Sequence, residues 1–134
     1  MQGALTLTKE ERVCSKKLIE QLFDKGGKRT VVAFPLRVVY LEREKPSADA
    51  PSLQMMVSVP KRLLHHAVDR NRVKRQVREA FRKNKYQLLE TMGGQSDKSL
   101  ALAFVWLDEK TYESKKVETA VSRLLNKVGE VICN

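Results

Sequence analysis

Arg70-Asn71-Arg72-Val73-Lys74-Arg75-Gln76-Val77-Arg78-Glu79-Ala80-Phe81-Arg82-Lys83-Asn84 reads as a helix with one apolar side and one cationic side. An α-helix advances about 100° per residue. On that wheel Val73, Val77, Ala80, Phe81 and Leu88 share one arc of about 100°, a core stripe. Lys74, Arg78, Asn71, Arg82 and Arg75 fill the neighbouring arc, and Arg72 and Lys83 lie further round beside Glu79. Lys61 to Lys85 hold ten Lys and Arg against two acids, a local excess of +8 in a chain whose total is +10. Like charges four residues apart cost a few tenths of a kcal/mol per pair. Arg70/Lys74, Lys74/Arg78 and Arg78/Arg82 are such pairs, whereas a face shaped by stability alone would mix signs. Charge gathered in this way points to a polyanion, with RNA or DNA as first candidate. The preference for Arg adds to this, because guanidinium forks grip phosphate bidentately and stack on bases.

Outward from that stretch, the periodicity predicts a central helix over about 67–91, with Asp69 or His66 as its cap. Lys61 to Val68 reads as an irregular basic connector. Leu53 to Val59 is a strand closed by Pro60. Thr30 to Leu41, rich in β-branched and aromatic residues, is also strand, and Pro35 marks either an edge position or a break into two strands. If Arg37–Leu41 and Leu53–Val59 are neighbours, they should pair antiparallel. Glu42 to Ser52 is a loop. Further upstream, residues 1–13 read as an extended arm. Ser15 caps a helix over about 16–25 that carries Leu18, Ile19, Leu22 and Phe23 on one side and stops at Gly26-Gly27. Downstream, Gly93 to Asp97 is a turn. Leu100 to Leu107 is apolar without alternation, as in a strand buried on both faces. A last helix over about 111–128 buries Val117, Val121, Leu124, Leu125 and Val128. The expected class is α+β in the order α-β-β-β-α-β-α, a two-layer sandwich with helices on one face of a small sheet.

Length and composition set the frame. A chain of 134 residues is read as one domain. Its pI of about 9.8 suits a nucleic-acid binder. No apolar run approaches the ~20 residues that span a bilayer, and Met1 to Lys9 lacks the pattern of a signal peptide. Cys14 and Cys133 have no metal-ligand partner at a useful spacing and read as free thiols of a reducing compartment. The expected setting is therefore cytoplasmic. Enzyme signatures are missing from the pattern. The 16 carboxylates are scattered, adjacent His65 and His66 point apart without a third ligand, Trp106 reads as core, and Ser58, Ser96 and Ser99 lack a His/Asp arrangement.

The run Arg70-Asn71-Arg72-x-Lys74-Arg75-x-x-Arg78-Glu79, preceded by Lys61 and Ala67-Val68, resembles the signature of the bacterial ribonuclease P protein component, and the resemblance extends over about residues 5–128. The chain departs from it at Leu63-Leu64-His65-His66, where many members have a Gly and an Asn, and at Ile19, where a Phe is common. The resemblance implies a protein subunit whose partners are ribonuclease P RNA and precursor tRNA. In that family the RNA hydrolyses the phosphodiester joining the 5′ leader to the tRNA, using Mg²⁺ held mainly by the RNA. No catalytic residue is then expected in the protein. Lys61, Arg62, Arg70, Asn71, Arg72, Lys74, Arg75, Arg78 and Arg82 would meet the catalytic RNA. Ile19, Phe23 and one of Phe34, Val38 and Tyr40 would lie near a cleft for the leader, unless they serve as plain core. The resemblance also implies a left-handed βαβ crossover, as in the second domain of a ribosomal protein, and a protein that is monomeric on its own. Two other readings share the charge logic. One is a non-enzymatic RNA binder of ribosomal type. The other is a DNA-binding helix module, disfavoured because the cations border the core and no half-site spacing is visible.

Overall fold

The computed structural model describes residues 29–44, 53–91 and 98–133. The expected arm, the helix over 16–25 with Ile19 and Phe23, and the turn at 93–97 lie outside them. The elements are β1 (Arg29–Ala33), β2 (Leu36–Glu44), β3 (Leu53–Ser58), α1 (Ala67–Thr91), β4 (Lys98–Trp106) and α2 (Ser114–Cys133). The four strands form one mixed sheet in the order β1-β2-β4-β3. For the described residues this is the expected α+β arrangement, with α1 and α2 on one face of the sheet.

Pro35 breaks the first β-rich run in two. Ala33 pairs with Leu36 across a two-residue turn, and the Phe34–Pro35 peptide is cis. The Leu107 amide donates to the Pro35 carbonyl at 2.9 Å and ties this turn to the end of β4. β4 is an interior strand, as β2 is. It pairs antiparallel with β2, setting Val38 opposite Phe104, and parallel with β3, setting Met55 opposite Leu102. The expectation that 37–41 and 53–59 would pair antiparallel, if neighbours, is not realised, because β4 lies between them. The reason is in its composition. A strand apolar from Leu100 to Trp106 is best served with both faces covered, and the helix between β3 and β4 is long enough for a parallel crossover.

Leu36, Val38, Tyr40, Leu53, Met55, Val57, Leu100, Leu102, Phe104 and Trp106 form the sheet side of the main core. Val73, Val77, Ala80, Phe81 and Leu88 of α1, and Val117, Ala120, Val121, Leu124, Leu125 and Val128 of α2, close it from above. Phe81 meets Phe104 edge to face at 6.1 Å, a geometry worth about 0.5–1.5 kcal/mol beyond the area buried. The alternate residues Val39, Ala101 and Ala103 form a smaller cluster on the opposite face, with Leu41 and Met56 packed against it.

The start of α2 is later than the periodicity predicts. Residues 107–113 are held out of helix by side-chain contacts, two of them local and one set reaching across from α1. The Trp106 indole N–H donates to the Lys110 carbonyl at 3.2 Å, and the Tyr112 hydroxyl donates to the Asp108 carboxylate. The Gln76 amide donates to the Tyr112 carbonyl at 2.9 Å and to Ser114 Oγ at 3.2 Å. At its other end α2 runs to Cys133, past Gly129. A glycine inside a helix costs only about 1 kcal/mol relative to alanine and does not by itself end it.

Candidate nucleic-acid interface

α1 spans 25 residues. The His66 carbonyl accepts from the Asp69 and Arg70 amides at 3.1 and 3.2 Å, so His66 is the cap, and Asp69 lies in the first turn. A carboxylate there is favoured by the helix dipole. Before the helix, the Leu63 and Leu64 amides bond back to the Pro60 carbonyl and fold the connector into a tight turn. Lys61 and Arg62 are exposed on that turn.

Every residue of the expected core stripe on α1 is buried. The buried side is wider than that stripe, because α1 packs on α2 as well as on the sheet. Gln76, at 8% exposure, is taken in on the α2 side, and Lys85, at 3%, is buried on the opposite flank of the stripe. Lys85 thus leaves the cationic surface. Its ammonium sits 5.8 Å from the centroid of the Tyr86 ring.

The remaining polar residues of the motif differ in exposure and in partners. Asn71, Arg72 and Arg75 are exposed, and Lys74 and Arg78 are half-buried beside the core. Among the described residues none of these cations has an acid within ion-pair reach; the ion pair found there joins Arg82 to Glu79. That guanidinium also donates through Nε to Glu79 at 3.1 Å. The hydrogen bond from Arg82 holds the Glu79 carboxyl below its usual range, and the same bond raises Arg82. Arg70 is engaged differently. Its Nη1 donates to the Leu64 and His65 carbonyls, both at 2.9 Å, and so braces the connector against the helix. The expected contact set therefore contains a free ribbon (Asn71, Arg72, Lys74, Arg75 and Arg78), a paired member (Arg82) and a brace (Arg70).

The leader-cleft candidates are spread apart. Val38 and Tyr40, at 0% and 3% exposure, are locked in the core beneath the helices and offer no free surface. Phe34, at 62% exposure, stands on the β1–β2 turn. Strand alternation puts Arg37 on the face opposite Val38, next to Val39, and its Nε is a buried donor with no hydrogen-bond acceptor. Sequence reasoning alone does not single out Arg37. The available signal is its position as the one cation between Leu36 and Tyr40.

Among the described residues no group of three or more His, Cys, Asp or Glu is placed to hold a metal ion. None of their helices is long and apolar enough to cross a membrane.

Residues 7–129 match the ribonuclease P protein family model. A ribonuclease P protein component of Porphyromonas gingivalis is 36% identical over 123 residues, covering 92% of this chain and 86% of that protein. One from Chlorobaculum tepidum is 33% identical over 103 residues, covering 75% and 66%. Among solved structures, the Staphylococcus aureus RNase P protein superposes with a TM-score of 0.65 at 18% identity, covering 88% of this chain and 94% of that one. That likeness concerns the fold. With the motif helix folded as its signature requires and the match running almost end to end, the chain belongs to the ribonuclease P protein family.

Proposed function

We propose that this chain is the protein subunit of a ribonuclease P holoenzyme, binding the catalytic RNA through α1 and assisting removal of the 5′ leader from precursor tRNA. The observation that carries the reading is the row Asn71, Arg72, Lys74, Arg75 and Arg78, whose cations no acid neutralises among the described residues. Such a row is a poor way to stabilise a helix and a good way to displace counterions from a folded RNA. Lys61 and Arg62 continue it along the connector. Arg82 joins it when RNA phosphate replaces Glu79. In this reading the RNA holds Mg²⁺ and carries out the hydrolysis. The protein lowers the electrostatic cost of bringing two RNAs together and extends recognition to the leader. On the sheet, leader contact falls to Arg37 rather than to the buried Val38 and Tyr40.

The test is leader removal from precursor tRNA by a bacterial ribonuclease P RNA at low Mg²⁺, with and without the folded protein. Stimulation is expected. A folded protein that binds the RNA without stimulating cleavage would instead be an RNA binder of ribosomal type.

A further inference from the structure

A second cationic surface lies on the far side of α1 from its ribbon. Gln76 and Gln87 of α1 bond to α2, through Ser114 Oγ and Asn126 Oδ1 respectively. At about 100° per residue they fall roughly opposite Arg78 and Asn71. α2 therefore separates the ribbon from a groove of about 220 Å³ lined by Ala33, Phe34, Lys116, Thr119, Ala120 and Arg123.

Three observations give this groove a chemistry. Phe34 is the most exposed aromatic side chain among the described residues, in a protein that buries Phe81, Phe104 and Trp106 completely. Two cations and no acid line the groove. The first turn of α2 carries Lys115 and Lys116 and no acidic residue, so two positive charges are added to the positive end of the helix dipole, where acids would be stabilising. Both walls are also fixed. The Leu107 amide holds the Phe34–Pro35 turn. Gln76 holds the start of α2, and Lys116 lies 4.2 Å from the centroid of the Tyr112 ring. An exposed ring beside fixed cations is how proteins take an unstacked base together with its flanking phosphates. A duplex, whose bases are already stacked, gains nothing from the ring.

We infer that the groove between the β1–β2 turn and α2 binds single-stranded RNA, with one base stacked on Phe34 and the adjoining phosphates held by Lys116 and Arg123. The choice of RNA over other polyanions rests on the function proposed above; the site itself rests on this geometry. The probe is a fluorescein-labelled decauridylate titrated into the full chain. Phe34→Ala is expected to weaken binding about tenfold, within the range for removing a base–aromatic stack, while Phe34→Trp retains it. Lys116→Glu with Arg123→Glu is expected to abolish the Phe34-dependent part. Melting curves should be unchanged, because these side chains lie outside the core. A decauridylate carrying one iodouridine should photolink to Phe34.

Binding by Phe34→Ala within twofold of the parent, or linkage confined to residues 61–85, would overturn the site. So would equal capture of polyglutamate. Loss of leader-removal stimulation with linkage at Phe34 intact would count against the holoenzyme reading alone. Normal stimulation without that linkage would count against this groove alone.

Discussion

Arg70 and Arg72 differ by two positions and by kind. Both belong to one motif and look equivalent in sequence, yet Arg70 spends its guanidinium on the Leu64 and His65 carbonyls while Arg72 faces solvent. That division is not legible in the residues, because it depends on where the turn after Pro60 delivers two carbonyl oxygens. The two arginines should separate experimentally. Arg72→Ala and Arg75→Ala should leave the melting temperature unchanged and flatten the salt dependence of RNA binding, by about 0.7–0.9 in the logarithmic slope for each phosphate that is no longer neutralised. Arg70→Ala should lower stability by about 1–2 kcal/mol, through removal of two charge-assisted hydrogen bonds, as read by urea unfolding. An Arg70→Ala protein of parental stability would show that the brace is idle.

At the level of elements, what is legible follows periodicity, and what is not depends on distant partners. The span of α1 and its core side can be read because apolar residues recur at helical spacing over several turns. Val77 is fully buried in that side. Val77→Asp should accordingly abolish cooperative unfolding, since an unpaired carboxylate in the core costs several kcal/mol; a normal melting curve would mean that α1 is rotated. The start of α2 escapes the periodicity because Gln76 and Trp106, remote from it or facing away from solvent, hold the preceding loop. Within that loop the Tyr112 hydroxyl lowers the Asp108 pKa, and the Asp108 carboxylate raises that of Tyr112. A depressed carboxyl contributes stability above its unfolded pKa and loses it as pH falls through the folded value. A raised phenol contributes below its unfolded pKa and loses it as pH rises through the folded value. The contact therefore helps between the ordinary carboxylate and phenol ranges and fades on either side. Both groups are near the surface, so the effect is small. Tyr112→Phe should slightly lower stability at neutral pH and converge with the parent in acid, as followed by thermal melts across pH.

For the molecule as a whole, charge and topology fall on different levels of the sequence. The charge asymmetry is evident from composition along the chain, and α1 bears it out as a one-sided ribbon. The strand order is not evident, because pairing partners are chosen by which strands need two neighbours rather than by proximity in sequence. Within the described sheet β4 is the only link between β3 and the β1–β2 hairpin. A chain ending before Lys98 should therefore lack protected amides throughout residues 53–91 in hydrogen exchange, although every residue of the cationic motif is present. Protection there would show that α1 and β3 stand without β4.

That dependence has a consequence during synthesis. The arginine row leaves the ribosome before the strand that seals the sheet, so a nascent chain passes through a stage in which the row is attached to no finished scaffold. At that stage it faces a tunnel exit built of ribosomal RNA, to which an unstructured cationic segment adheres without discrimination. On the function proposed above, discrimination between RNAs begins only once β4 has emerged and docked beside β3, when a sticky tail becomes a shaped surface.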